Sequence, residues 1–361
     1  MNKIIFGGAF DPIHNGHINM AINAAKTLNG EVIFVPARIS VWKNSSCPSK
    51  EKIEMLNLAI ENQPSLSIDT FEINSDQEVN YSIDTVRYFK NKYPNDKLYY
   101  LIGADQVNEF HRWKEAEELS SLAQIVFYSR PGYQSDNKNI KTYKMMEING
   151  SGIEVSSTDI RDFRSFELPY KVLLYIVEHN LYKGMEIMHM LLSDKRLNHS
   201  IEVAKLAYKI AVRNDFHDPM KAFVAGLFHD IGKETPDPIV ENIMRSNYLE
   251  YINMPQFSYH QFVGEYLAQA KFGINDKEIL DAIRNHATGN KDMSELSKII
   301  YAADKIEPTR GFDSKDLIDA MMKGVDSGFK IVLEANKEFL LSHHKNINNS
   351  LTSICFEQYL K

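Results

Sequence analysis

The sequence predicts an α/β, doubly wound parallel sheet in its first half and an all-α domain in its second. Up to about residue 180, short apolar runs alternate with stretches whose apolar residues recur at helical spacing, the pattern of a parallel sheet covered by helices. From about residue 186 the strand signals stop and only helical periodicity remains. At 361 residues the chain also exceeds one ordinary core. The expected division is therefore residues 1–183 and 184–361, meeting near Lys183-Gly184.

Taken in order, Lys3-Ile4-Ile5-Phe6, Glu31-Val32-Ile33-Phe34-Val35, Leu98-Tyr99-Tyr100-Leu101-Ile102 and Gln124-Ile125-Val126-Phe127 read as strands. Each is a nearly continuous apolar run, as strands buried on both faces are. Gly16 to Leu28 and Ser49 to Asn62 read as helices between them, and Pro169 to Tyr182 as a helix closing this half. In the second half Arg196 to Val212, Met220 to Ile231, Gln261 to Ala270 and Ile279 to His286 are helical in pattern. The tail from Lys337, rich in Asn and Lys, reads as a terminal helix with a loose end.

Composition narrows the function classes. An apolar share of 43% and a charged share of 25% are those of a soluble globular protein. The net charge of −7 argues against general nucleic-acid binding, while local basic pockets still permit small polyanionic substrates. Cys47 and Cys355 stand far apart, so a structural disulfide is not expected and a reducing cytoplasm fits. The first apolar run breaks at Gly7-Gly8, too early for a signal peptide, and no stretch reaches bilayer length. A cytoplasmic location without membrane contact is the expectation.

The strongest local signal is Gly7-Gly8-Ala9-Phe10-Asp11-Pro12-Ile13-His14-Asn15-Gly16-His17. It follows the first strand and opens the first helix, where backbone N–H groups and the helix dipole receive phosphate oxygens. Gly7 and Gly8 let the backbone approach a ligand closely. His14 and His17, three apart, can face one anion and donate to phosphoryl oxygens whose charge grows during reaction.

Further segments follow in order: Tyr81-Ser82-Ile83-Asp84-Thr85-Val86, Leu101-Ile102-Gly103-Ala104-Asp105-Gln106, Trp113, Arg130-Pro131-Gly132 and Val155-Ser156-Ser157-Thr158-Asp159-Ile160-Arg161. Over residues 3 to 182 the set resembles the Rossmann-like nucleotidyltransferase superfamily and, within it, nicotinate-nucleotide adenylyltransferases. The resemblance implies adenylyl transfer from ATP, accompanied by Mg²⁺, to nicotinate mononucleotide, giving nicotinate adenine dinucleotide and pyrophosphate. No covalent intermediate is needed, so positioning and electrostatics carry the rate. It implies His14 and His17 as the catalytic pair at the phosphates, with Lys43 and Arg161 adding charge. Gly7, Gly8, Phe10 and Gly103 would bind substrate, and Ser156, Ser157 and Thr158 would hold ATP phosphates at a second helix start. Ser157 and Thr158 are suited to capping that helix. Asp105 would meet the adenosine end or the metal, and Thr85 the mononucleotide. Trp113 either stacks on the pyridine ring or simply packs.

In the second half His199, His229-Asp230, His260, His286 and Asp304 occur in an order that lets several apolar helices each bring one N or O donor. Adjacent helical residues diverge by about 100°, so a metal near a helix end is reached from two sides and an aspartate there can bridge two ions. With Arg284-Asn285-His286-Ala287-Thr288-Gly289 and Asp304-Lys305-Ile306-Glu307-Pro308-Thr309-Arg310, the set resembles HD-domain phosphohydrolases over residues 190 to 345. It is similar to a bacterial family that cleaves diadenosine tetraphosphate symmetrically to two ADP. The resemblance implies two divalent ions, iron or manganese, since the site is rich in N and O and lacks thiolate. His199, His229, Asp230 and Asp304 would hold one, and His260 and His286 with bridging Asp230 the other. Two such ions can lower the pKa of a bridging water and clamp a phosphate. Asp230 and Lys233 would act in catalysis, with Lys233 and Arg310 neutralising a dinucleoside polyphosphate. Two other readings stay open: another nucleotide phosphoester as substrate, or a nucleotide-binding regulatory module. A pure binding module has no need of a hydrolytic metal pair. His111, His179, His189, His217, His343 and His344 read as surface or packing residues.

Overall fold

A computed structural model describes residues 1–38, 47–76, 79–129, 137–150, 152–345, 347 and 350–361. The chain divides into two compact units, Met1–Tyr182 and Lys183–Lys361.

The first unit is built on six parallel strands: β1 (Asn2–Gly8), β2 (Gly30–Pro36), β3 (Leu66–Ile68), β4 (Lys97–Gly103), β5 (Gln124–Tyr128) and β6 (Met146–Ile148). Their order is β3-β2-β1-β4-β5-β6. The four strands expected from sequence are present, each longer by one to three residues. The two edge strands were not expected, being only three residues long. Strand order reverses between β1 and β4, so their connections run in opposite directions and leave a crevice at the strands' C-terminal ends. Gly7-Gly8 and Gly103 sit at those ends. The helix Asn15–Leu28 lies over the sheet through Met20, Ala21, Ala24, Ala25 and Leu28, all buried. It stops at Asn29, whose left-handed φ of 45° turns its N–H back onto the Ala25 and Lys26 carbonyls.

The second unit is helical among its described residues, and its centre is the helix Pro219–Phe228. Asp218 caps it by accepting from the Met220 N–H at 3.1 Å, and Pro219 starts it where no N–H is needed. Every residue from Ala222 to Phe228 is buried, so this helix is apolar all round. Gly226 permits a close crossing with the helix Asp194–Arg213: a Cβ there would lie 2.6 Å from Ala204 Cα. The helix ends at Phe228, short of the expected Ile231. The terminal helix expected at the C-terminus is Ser350–Tyr359, and in place of the expected loose end it is docked, with Leu351, Thr352, Cys355 and Phe356 buried. Cys355 fits because Gly289, at φ 66°, has no side chain; a Cβ there would come within 2.5 Å of the Cys355 sulfur. Cys47 and Cys355 are both buried, and they form no disulfide with each other. Among the described residues no helix is long and apolar enough to cross a membrane.

Candidate active sites

β1 delivers Gly7 and Gly8 to the crevice, and the chain then turns into the helix at Asn15. His14 is its N-cap: the ring Nδ1 accepts from the His17 backbone N–H at 3.3 Å. The two imidazoles stack, with centroids 3.6 Å apart and planes 21° from parallel. Both stand at the positive end of a helix of 14 residues. Phe10, expected at the substrate, is buried and meets His17 edge-on at 5.1 Å, with Phe6 and Phe34 behind it. Its ring therefore supports the histidine from the core.

Residues 155–161, far away in sequence, fold onto this loop. Ser157 Oγ donates to the Pro12 carbonyl at 3.3 Å, and Arg161 Nη1 donates to the Asp11 carbonyl at 2.6 Å. Arg161 Nη2 donates to Thr158 Oγ1 at 3.0 Å. The cap of the short helix Ser157–Arg161 is Ser156, which accepts from the Thr158 N–H at 3.1 Å; Ser157 and Thr158 are not the capping side chains. Arg161 thus fixes the histidine loop besides bringing charge to it.

A cavity of about 210 Å³ opens at the C-terminal end of the sheet, with Gly7, Gly8, Glu72, Asn80 and Trp113 in its wall. Trp113 packs and is also open to the cavity. It packs on Phe110 and Tyr100, with centroids at 5.1 and 6.0 Å, and it also lines the cavity. Thr85 does not reach the cavity: it is fully buried and its hydroxyl donates to Glu72 Oε1 at 2.6 Å. Glu72, which no sequence pattern marked, is the residue exposed to the cavity. Burial pushes its carboxyl up to about 7; the Thr85 hydroxyl opposes this and Asp84 adds to it. Asn80 Nδ2 is buried with no hydrogen-bond partner among the described residues, and Arg112 and Lys114 also line the wall. Asp105 is exposed just beyond Gly103 and accepts from Gln106 Nε2 at 3.1 Å; Gln106, not Asp105, lines the cavity. Lys43 and Arg130-Pro131-Gly132 lie outside the described residues.

In the second unit, five segments bring six donors together. His199 lies on the helix Asp194–Arg213, while His229 and His286 are the C-caps of Pro219–Phe228 and Lys277–Asn285. Asp230 follows His229, His260 is the second residue of Tyr259–Phe272, and Asp304 sits near the end of Glu295–Ile306. Three overlapping groups each place their donor atoms within 4.8 Å of one another: His199, His229, Asp230; His229, His286, Asp304; and Asp230, His260, His286. Asp230 faces two ways. Its Oδ1 lies 3.4 Å from both His260 and His286 Nε2, and its Oδ2 lies 3.7 Å from His229 Nε2 and 4.0 Å from His199 Nε2.

The histidine tautomers follow from the backbone. The Nδ1 atoms of His229, His260 and His286 each lie 2.7 Å from the carbonyl three residues earlier, at Gly226, Phe257 and Ile283. A carbonyl only accepts, so Nδ1 carries the proton and Nε2 presents a lone pair to the cluster. His260 and His286 Nε2 then oppose each other at 3.1 Å, and His229 Nε2 is buried with no hydrogen-bond partner among the described residues. Converging lone pairs with no proton between them, beside two carboxylates, are what a divalent cation site requires. The residues fit the group.

Electrostatics agree for most members. Burial raises the Asp230 and Asp304 carboxyls, but the neighbouring histidines, with Lys305 and Arg310 at Asp304, hold both well below the usual range. Burial, with nearby cationic groups, lowers His260 and His286 and keeps them neutral. His229 goes the other way: burial lowers it, yet Asp230 and Asp304 outweigh that. Cations ring the cluster. Arg196 Nη1 donates to Asp230 Oδ2 at 2.6 Å, Lys305 Nζ to Asp304 Oδ2 at 2.7 Å, and Arg310 also contacts Asp304. Lys233 Nζ lies 3.3 Å from both His260 ring nitrogens. Sequence reasoning missed Arg196, Lys305 and Glu307. The buried Glu307 carboxylate orients His199 through Nδ1 at 3.1 Å, and its signal was its place in the segment Asp304 to Arg310, where sequence reasoning gave it no role.

Fold and sites together define the class of protein: a parallel α/β nucleotide-binding unit joined to a helical unit built around an N/O metal cluster. Residues 5–163 match the family described as Cytidylyltransferase-like, and residues 196–309 match the HD domain. A Mycoplasma genitalium protein named "Probable nicotinate-nucleotide adenylyltransferase/Ap4A hydrolase" is 36% identical over 311 residues, covering 85% of this chain and 87% of its own. A Mycoplasma pneumoniae protein of the same name is 31% identical over 350 residues, covering 95% and 100%. A Clostridium acetobutylicum structure, described as a "predicted HD superfamily hydrolase involved in NAD metabolism", is 28% identical with a TM-score of 0.43. It covers 48% of this chain and 94% of that one. The chain belongs to the family of these two-domain mycoplasma proteins, a Cytidylyltransferase-like region followed by an HD domain.

Proposed function

We propose that the chain is a bifunctional enzyme. Its first unit transfers the adenylyl group of ATP to nicotinate mononucleotide, and its second hydrolyses diadenosine tetraphosphate symmetrically to two ADP. The observation that carries the reading is the six-donor cluster ringed by Arg196, Lys233, Lys305 and Arg310, an arrangement suited to cations at its centre and to polyphosphate at its rim. The names of the full-length relatives support the pairing with an adenylyltransferase.

In the first unit a phosphate oxygen of the mononucleotide bonds to the α-phosphorus of ATP. The α–β bridging bond breaks and pyrophosphate leaves. His14 and His17, stacked at the helix start, donate to oxygens whose charge increases as this happens. Trp113 offers a flat face to the pyridine ring, while Asn80 Nδ2, Arg112 and Lys114 suit a carboxylate upon it. This favours the acid form of the mononucleotide. Mg²⁺ travels with ATP.

In the second unit two divalent ions, iron or manganese, would be held by His199, His229, Asp230 and Asp304 and by Asp230, His260 and His286. When bound they supply concentrated positive charge and lower the pKa of a water molecule. A water oxygen adds to one β-phosphorus and the bridge between the β-phosphates breaks, so each half leaves as ADP. Arg196, Lys233, Lys305 and Arg310 offset the negative charge of the phosphate chain.

The test uses the full chain with manganese or iron. His17→Ala should abolish dinucleotide synthesis and leave ADP release from diadenosine tetraphosphate intact; Asp230→Ala should do the converse. Loss of both activities in either folded variant refutes independent sites. Metal and nucleotide binding without ADP release in the wild type makes the second unit a binding module.

A further inference from the structure

The helical unit has a cavity whose interior the chemistry above leaves unused. It measures about 520 Å³ and lies beside the segment from Lys305 to Phe312. Its walls are apolar: Ile306, Leu317 and Val332, with the rings of Phe312 and Phe339. Those two phenylalanines are 49% and 55% exposed, an unusual placing for two aromatic rings around one hollow. The remaining lining is Lys305, Arg310, Ala335 and Asn336. Lys305 and Arg310 are the two cations that contact Asp304 of the metal cluster. The hollow is therefore apolar and aromatic within, and the same two cations connect its wall to the phosphate site. Asn336 donates from Nδ2 to the Tyr301 hydroxyl at 2.9 Å, which leaves its amide oxygen as an acceptor suited to an exocyclic amine.

We infer that this cavity is a nucleoside subsite, holding the base of a purine nucleotide against Phe312 and Phe339 while its phosphates pass Lys305 and Arg310 to the metal cluster. The size suits one nucleoside, since small-ligand pockets run from roughly 300 to 1,000 Å³. Stacking on aromatic rings, without full encirclement by hydrogen-bond partners, tolerates different bases. A phosphoester without a base would use only the cluster. The inference rests on the nucleotide reading of this unit and names where that nucleotide's base lies.

The test is arranged so that the two can fail separately. The manganese-loaded full chain is photolabelled with 8-azido-ADP and the labelled peptides are mapped. Label is expected on peptides between residues 305 and 339, and is expected to vanish in Leu317→Trp, which fills the cavity. Phe312→Ala, at an exposed position, serves should the larger side chain disturb folding; it should cut the label severalfold. Ile331→Ala, outside the cavity lining, should change nothing. In parallel, the KM for diadenosine tetraphosphate should rise roughly tenfold in Leu317→Trp and Phe312→Ala with kcat held within about twofold, the scale of one lost base stack. Label confined to residues 1–182, label indifferent to both variants, or a dimer that buries Phe312 and Phe339 in solution overturns the subsite. ADP release with an unchanged KM also overturns it and leaves the hydrolase reading standing. Label at 305–339 with no ADP release leaves the subsite standing and removes the hydrolase reading.

Discussion

Replacing Glu72 with glutamine removes one ionisable group from the wall of the first unit's cavity and measures what burying it costs. The folded carboxyl titrates at about 7, against 4.5 for an unhindered glutamate. Between those values the native state keeps a proton that the unfolded chain has released. Stability therefore falls as pH rises through that window and is level above it. The gap corresponds to about 3 kcal/mol. Glu72 is only 7% exposed, so solvent screening takes little from that figure. Glutamine keeps an oxygen to accept from Thr85, so the hydrogen bond survives while the charge does not. The informative quantity is the difference between variant and wild type at about pH 8, less the same difference at about pH 4.5. It should favour the variant by about 3 kcal/mol. Tryptophan fluorescence during urea unfolding reads this unit alone, because the chain's two tryptophans, Trp42 and Trp113, both lie in the first half. If the two proteins lose stability in parallel across the window, the carboxyl is hydrated and the buried Glu72–Thr85 pair is wrong.

Two further perturbations test the helical unit. Gly226→Ala places a methyl group 2.6 Å from Ala204 Cα, against backbone that cannot rotate away. Calorimetry should show that unit destabilised by about 1–3 kcal/mol, with tryptophan-detected unfolding unchanged. Glu307→Gln removes the carboxylate that orients His199. Manganese affinity, measured by titration calorimetry, should fall by roughly 10–100-fold; an unchanged affinity would show that His199 is positioned by packing alone.

The four long strands were legible because a parallel strand buried on both faces must be apolar at every position, and Ile4-Ile5-Phe6 or Ile125-Val126-Phe127 satisfies that without reference to any neighbour. Leu66–Ile68 and Met146–Ile148 are edge strands of three residues, with one buried residue each. So little burial asks for no pattern. The docking of the tail was not legible for a different reason: the space that Cys355 occupies is left by a glycine 66 positions earlier, at Gly289.

The two sites differ in how far local sequence can specify them. His14 and His17 lie within one turn at one helix start, so spacing alone lets both rings face one anion, and the structure adds their stacking and the cap that accompanies it. Thr85's place was not legible, because a hydroxyl in a motif looks the same whether it meets a ligand or, as in this structure, a buried carboxylate thirteen residues away. In the helical unit the donors themselves were legible, since a metal centre needs particular atoms and few residue types supply them. Their protonation was not. It is set where each histidine ring turns back to a carbonyl three residues earlier, a backbone acceptor that any residue supplies. Gly226 therefore serves two purposes, close helix crossing and the proton lock of His229. Packing and metal chemistry are coupled at that residue, so an alanine there should weaken metal binding as well as the fold.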